Sequence, residues 1–445
     1  ASDPESAEKA LGLVKAEFDV PTPTVDSESI FDHLVEAAPS PQTREQGGDL
    51  DAGRRLSSQT FDLTYYNSYV AHAPIEPHTA VAEVKEGKAT VWSSTQAPFS
   101  QQTTIARAIG FSPENVRVIT PYVGGGFGGK VPGQQAVEAA RLAKITGRPV
   151  QVCWTRAEEF FYDTFRPAAV VKLQSGIDGD GKITLWDYQV YGAGSRGSDV
   201  FYDIPHRGVR VYGEWRGAPD GYHPFAVGAW RAPAANTNRF AAEQQIDIMA
   251  AAAGIDPLEF RLRNTKDERM VRVLRAVGDA YGWQPAATPR KNGTGRGLAC
   301  GIDAETYVAL VADVTVDSAT GRVRVDRVVC AQEMGYVVNP DGARMQVEGC
   351  ITMGLGYVFS EEIRFEGGKI LDSNFDSYEL PRFSWVPKIE TVLVSNDGLS
   401  PKGGGEPGIV NVGAVIANAV FDATGARVRR LPMTPERVLA EIRKV

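Results

Sequence analysis

Cysteine and histidine are scarce: four and five residues in a chain of 445. No two of Cys153, Cys300, Cys330 and Cys350 form a Cys-x-x-Cys pair, which excludes the usual iron–sulfur and structural zinc sites within this chain. Their neighbours are largely apolar, so they are expected as small core residues. The histidines, His33, His72, His78, His206 and His223, show no His-Glu-x-x-His or other metal spacing. A working metal would have to be held by another molecule. Apolar runs of about 18 residues are also missing, so no transmembrane helix is expected. Nor is there an excess of positive charge: 47 Lys and Arg stand against 55 Asp and Glu, a net charge of −8, which argues against a chain that coats nucleic acid or an anionic membrane. The first residues, Ala1-Ser-Asp-Pro4, form no charged-then-apolar leader. With no initiating Met, processing or truncation is expected ahead of them. A cytoplasmic location is expected, with the periplasm left open.

Ordinary proportions of hydrophobic (43%) and charged (23%) residues indicate a globular protein. At roughly 150 residues per domain the length predicts about three domains. Residues 5–18 read as a helix and 38–48 as a polar linker or loop. A hairpin is expected over 80–93 and another over 170–190, turning at Asp178-Gly-Asp-Gly181. That turn is no calcium loop, because Lys182, Ile183 and Gln189 occupy positions an EF-hand reserves for other residues. A strand is expected over 116–123. Helices are expected over 132–147, 238–263 (broken near Gly254 and Pro257), 267–282, 343–359 and 409–424, and strands over 308–316 and 323–329. The turn-rich stretch 284–297 is the expected boundary between two larger domains.

What is plentiful is glycine, 46 residues, and it is clustered. The first loop is Gly124-Gly-Gly-Phe-Gly-Gly-Lys130, between an expected strand and helix. Glycines let a backbone approach a bound group closely and present N–H donors to an anion. A P-loop must be weighed, since the first seven positions match. The eighth is Val131 where magnesium needs Ser or Thr, which makes a nucleotide-binding ATPase a poor fit. The second loop is Lys402-Gly-Gly-Gly-Glu406-Pro-Gly408. Three glycines before a helix start make sense if something large lies against them and Glu406 points at it. Glu406 is therefore a candidate general base.

Taken with Trp230-Arg-Ala-Pro233, Ala71-His-Ala-Pro-Ile-Glu-Pro77, Ser94-Thr-Gln-Ala-Pro98, Val338-Asn-Pro340, Gln346-Val-Glu-Gly349 and Arg430-Leu-Pro-Met-Thr-Pro435, these loops resemble the molybdopterin-binding large subunit of the xanthine dehydrogenase/aldehyde oxidase family. The likeness is nearest to the bacterial branch typified by the isoquinoline 1-oxidoreductase beta subunit, and it covers nearly the whole chain. It implies an α+β, multi-domain fold with mixed sheets and packed helices. Residues 1–58 would be part of a hammerhead-like α/β domain, with cofactor-binding domains at 59–290 and 291–445. By the same resemblance Gln96 would hydrogen-bond an oxygen on molybdenum. Gly125, Gly126, Phe127, Gly128 and Gly129 would lie against the metal and pterin, as would Gly404 and Gly405. Arg231 would be the substrate-pocket arginine, Arg263 an arginine near the pterin, and Glu406 the catalytic base. The metal itself would be held by the pterin dithiolene.

The implied chemistry is oxidative hydroxylation of an aldehyde or N-heteroaromatic carbon, with oxygen from water. The implied cofactor is a molybdenum-pterin, as molybdopterin cytosine dinucleotide. Electrons would pass to a small 2Fe–2S subunit, with FAD or a cytochrome on further chains. In purine-oxidising members an acidic residue follows the loop lysine; Val131 here suggests an apolar pocket with Phe127, its main polar handle being Arg231. The family's Gly-Gln-Gly cofactor segment does not occur in the chain. It is expected from a second polypeptide; a non-catalytic scaffold or assembly subunit is the alternative.

Overall fold

The computed structural model describes residues 3–20, 22–286 and 288–445. Its largest sheet has six strands in the order Gln42–Gly47, His206–Tyr212, Ile183–Tyr191, Ala169–Ile177, Gln59–Asn67, Arg430–Leu431. The sheet is mixed: His206–Tyr212 pairs parallel with Ile183–Tyr191, and Arg430–Leu431 parallel with Gln59–Asn67. The other three pairings are antiparallel. At the 178–181 turn the Asp178 carboxylate accepts from the amides of Asp180 and Lys182, so it closes a hairpin.

Two expectations change here. The stretch 38–48 is not all loop, because Gln42–Gly47 forms an edge strand of this sheet. Its polar side chains suit a sheet edge, where Glu45 takes the Arg207 guanidinium. The helix expected over 5–18 is only Pro4–Leu11, capped by Asp3. Leu13, Val14 and Phe18 beyond it are exposed, so they meet no surface that would reward continued winding.

A second sheet runs Thr294–Asp303, Thr306–Val316, Val323–Glu333, Lys388–Leu393, the last pair parallel. The helix Val412–Thr424 lies directly on its first strand. A Cβ at Gly295 or Gly297 would fall about 2.1 or 2.0 Å from the carbonyls of Ala419 or Val415, so glycine permits this approach. The run Pro407–Thr424 is apolar enough for a membrane span but is 83% buried in the protein, so its hydropathy serves the core. Between the two sheets runs the helix Ala235–Ala252. It is buried nearly all round, and three of its polar side chains pair with neighbouring elements: Gln245 with Tyr65, Asn238 with Tyr188, Glu243 with Arg261. One buried cluster contains Ile30, Leu34, Phe240, Leu274, Val311 and Ile416. The strand Thr294–Asp303 begins inside the turn-rich stretch 284–297, and this core continues on both sides of it.

A smaller α/β unit has a core of its own. Its strands run Val116–Ile119, Lys88–Ser93, Thr79–Lys85, Val150–Cys153, covered by the helices Pro98–Ile109 and Gln134–Thr146. The strand expected over 116–123 stops at Ile119, and the first glycine loop follows. Cys300, Cys330 and Cys350 are buried as expected; Cys153 is exposed, because it sits on an edge strand.

Candidate active site

Both glycine loops are tied to one short segment, residues 230–232. The Arg231 amide donates to Phe127 O at 2.9 Å, in the first loop. The Arg231 guanidinium donates through Nε and Nη2 to Gly405 O at 3.0 and 2.6 Å, in the second. The Ala232 amide donates to Glu406 Oε1 at 3.0 Å. Trp230 anchors this spine: it is fully buried, its Nε1 donates to Ala71 O at 3.0 Å, and it meets Tyr357 edge-on. Backbone strain gathers here. Of the eight described non-glycine residues with positive φ, Ala73, Phe127, Ala232, Ala234, Ala304 and Glu305 lie on segments that touch these loops. Each such residue costs about 1–3 kcal/mol and persists only where its surroundings dictate it.

The first loop's glycines are demanded largely by the protein itself. A Cβ at Gly126 would lie 2.5 Å from Gln96 Oε1, at Gly128 1.6 Å from Ala229 O, and at Gly129 2.5 Å from Asp163. Packing therefore accounts for glycines that the sequence suggested a ligand would need. Lys130 is buried and paired with Glu76 at 2.7 Å, out of reach of a phosphate, which removes the P-loop reading. Two buried histidines brace the loop. His72 faces Asp163 through Nδ1 (2.9 Å) and Ala229 O through Nε2 (2.6 Å); His78 faces Glu159 (2.7 Å) and Gly129 O (3.0 Å). Burial alone would lower the His72 pKa, but Asp163 and Ala229 O outweigh it and hold it above the usual histidine value. His78, Glu159 and Asp163 cluster closely enough for a metal, but these hydrogen bonds already use their ligand atoms. What the loop leaves free are the amides of Gly125, Gly126 and Phe127, which donate to no described residue. Gln96 Oε1 accepts from the Gly128 amide at 3.0 Å, leaving its exposed side-chain nitrogen without a described partner.

The second loop rests on the turn Ala304–Glu305. The Gly403 amide donates to Ala304 O, Thr306 Oγ1 donates to Gly403 O, and Lys402 pairs with Glu305. Gly405 is open: its Cβ would meet nothing nearer than Gln346 Oε1 at 3.6 Å. The amides of Gly404, Gly405 and Glu406 also donate to no described residue. Glu406 Oε2 accepts from Arg196 Nη2 at 2.6 Å, and the carboxylate stays 39% exposed. Arg196 also holds Asp303 in a bidentate pair at 2.6 and 2.7 Å. Burial would lower the Arg196 pKa, but these two carboxylates overcome it and raise it. Burial raises the Asp303 pKa, with Arg196 opposing.

Gln96, Phe127, Arg231 and Glu406 thus come together, with Gly125, Gly126, Gly128, Gly129, Gly404 and Gly405 around them. Arg263 does not join them. It is half-exposed and pairs with Glu259 at 2.6 Å, while the buried arginine of Phe260-Arg-Leu-Arg-Asn264 is Arg261. Arg196 and Asp303 were missed, although Gly192-Ala-Gly-Ser-Arg196-Gly197, with three left-handed glycines, carried a signal. Beside the spine lies a cavity of about 440 Å³ lined by Phe127, Arg231, Met353, Leu380 and Glu361 among others. Val131 is not in the wall of this cavity, and the Glu361 carboxyl is.

Two models of the molybdopterin cofactor-binding domain match residues 34–265 and 247–387. The chain belongs to the molybdopterin-binding large subunits of the xanthine dehydrogenase/aldehyde oxidase family. It is 31% identical over 435 residues to a nicotinate dehydrogenase chain of Pseudomonas putida, covering 89% of this chain and 36% of that one. It is 30% identical over 398 residues to the isoquinoline 1-oxidoreductase beta chain of Brevundimonas diminuta, covering 84% and 50%. The chain therefore spans half or less of the length of these relatives. Quinoline 2-oxidoreductase from Pseudomonas putida 86 shares the fold, with a TM-score of 0.84 at 15% identity over 100% of this chain and 84% of that one. The residues present fit the family's cofactor. Two runs of three unpartnered amides, on either side of the Arg231 spine, offer donors to a polyanionic pterin, and Gly405 leaves room for it.

Proposed function

We propose that this chain is the catalytic large subunit of a molybdenum hydroxylase that oxidises an aldehyde or an N-heteroaromatic carbon, with water as the oxygen source. The observation that carries this reading is Glu406, a half-exposed carboxylate aimed by Arg196 and the Ala232 amide between two loops of free N–H groups. When bound, the molybdenum-pterin group supplies a Lewis-acidic, two-electron redox centre. The residues would hold it through the amides of 125–127 and 404–406 and through the Gln96 side-chain amide. Glu406 accepts the proton released from water as oxygen is transferred. Arg196 fixes the Glu406 carboxylate through Oε2, and Ala232 through Oε1. Arg231 keeps the second loop in register by its two bonds to Gly405 O.

Molybdopterin cytosine dinucleotide is our expected form of the cofactor, with electrons leaving to a 2Fe–2S subunit and onward to a flavin or cytochrome chain. The Gly-Gln-Gly segment, which lies outside this sequence, would complete the cofactor site. The free amides of both loops, with the exposed Tyr122 ahead of the first and Tyr336 beside the second, support a covering partner. All four cysteines are free thiols, which suits a cytoplasmic location. The test is Glu406→Gln in the assembled complex. Molybdenum content should stay equal while turnover falls about 10²–10⁴-fold. Activity within a few-fold of wild type at equal metal content sinks the assignment. A scaffold role predicts no molybdenum in the purified complex.

A further inference from the structure

The cavity beside the 230–232 spine has one carboxyl in its wall, and the chemistry above leaves it unused. Glu361 lies just past the helix Pro340–Phe359 and is only 2% exposed. Its Oε2 accepts from the Tyr378 hydroxyl at 3.0 Å, while Oε1 accepts from no described residue. Arg166 is the cation whose field reaches it, but the two form no ion pair. Arg166 instead lies near the rings of Trp230 and Tyr357, 5.4 and 4.9 Å from their centroids, with Nε and Nη1 bonded to no described residue.

Other polar groups also line the cavity, and of these the Gly125 amide, the Thr352 hydroxyl and Arg231 Nη1 have no described partner. Arg231 spends Nε and Nη2 on Gly405 and Gln346, and both ring nitrogens of His72 are bonded. Phe127, Met353 and Leu380 supply apolar wall. The Glu361 carboxyl itself accepts from Tyr378 and from no other described residue. Burial accordingly pushes the Glu361 pKa up to about 8, against the opposing pull of Tyr378 and Arg166. In its acid form a carboxyl is a donor as well as an acceptor.

We propose that Glu361 is a specificity-determining residue, which donates a hydrogen bond from its carboxylic acid to an acceptor on a neutral aromatic substrate, such as a ring nitrogen. This rests on reading the cavity as the substrate pocket of the proposed hydroxylase. A group of this kind selects between rings of equal shape that differ in one acceptor atom. Gln keeps a donor at the same position; Leu does not.

The experiment compares pyridine-4-carbaldehyde with benzaldehyde, two aldehydes that differ only in the ring nitrogen. The assembled holoenzyme is assayed as wild type, Glu361→Gln and Glu361→Leu. The kcat/KM preference for the pyridine should fall about 3- to 10-fold in Glu361→Leu and stay within about 2-fold in Glu361→Gln. The wild type supplies the same test without a variant. Its preference should decline as pH rises through about 8, as Glu361 loses its proton beside Arg166, Tyr378 and Tyr357 and across from Arg231 and His72. Binding of 4-methylpyridine and toluene, followed by saturation-transfer NMR on cofactor-free complex, should show the same ordering. Equal losses for both aldehydes, or a Gln variant as impaired as Leu, would overturn the proposal. If molybdenum-loaded wild type oxidises neither aldehyde, the aldehyde arm of the hydroxylase reading fails and its N-heteroaromatic arm stands. The methylpyridine and toluene pair still decides the role of Glu361.

Discussion

Replacing Glu361 by Gln should change how stability depends on pH, in a direction opposite to that of most carboxylates. The folded protein holds this group near a pKa of about 8, against an ordinary value of 4.5. Below about pH 4.5 it is protonated whether the chain is folded or not, and its charge contributes nothing. As pH rises further, the unfolded chain ionises freely while the folded one keeps the proton, so stability is lost. The loss is complete above about pH 8. A raised folded pKa thus means stability present at low pH and surrendered as pH climbs. The span from 4.5 to about 8, at ~1.4 kcal/mol per pH unit, puts the full effect near ~5 kcal/mol. Glu361→Gln keeps the volume and an acceptor for Tyr378, and it cannot ionise. The free-energy difference, variant minus wild type, should therefore rise steadily from pH 5 to 8 and then level off. Urea unfolding of the assembled complex at five pH values would measure it. Taking the difference cancels every other titrating group, including His72. A flat difference, or one that falls with pH, would show that Arg166 ionises Glu361 in the folded state and would refute the reasoning.

Arg196→Met should cost about 2–4 kcal/mol, because it strands the buried Asp303 carboxylate; adding Asp303→Asn should restore stability but not turnover, as Glu406 stays unaimed. Recovery of activity in the double variant would contradict the positioning role of Arg196. Gly128→Ala puts a Cβ 1.6 Å from Ala229 O at a φ of +119°, so it should destabilise by roughly 3 kcal/mol or more and separate the loop from the spine. A loss under about 1 kcal/mol in chemical denaturation would mean the loop can move aside. His72→Gln should lower Tm most at acid pH. His72 contributes stability that is present below its unfolded pKa near 6.5 and lost as pH rises through its higher folded value. Differential scanning calorimetry at pH 5.5 and 8.5 tells these apart, and an equal drop at both would remove the charged His72–Asp163 pair from the account.

The local features of this protein were legible in the residues. The hairpins at 80–93 and 170–190 follow from alternation and turn chemistry that only short-range sterics govern, and they formed where expected. The break near Gly254 and Pro257 is equally local: the helix ends at Ala252 and a new one starts at Pro257. Glu406 stood out because a carboxylate among glycines has no ordinary structural purpose. Tertiary structure decided the rest. Edge strand Gln42–Gly47 looked like a loop because its stability comes from a partner about 160 residues away. The apolar residues past Leu11 looked helical but found nothing to pack against. The first loop's glycines read as a ligand cradle, yet Gln96, Ala229 and Asp163 claim most of that space, and only coordinates show a Cβ collision. Arg196, Asp303 and Glu361 reach the site from three distant stretches. A side chain's partner across 100 to 200 residues depends on sheet order and helix packing, not on the spacing of its own neighbours.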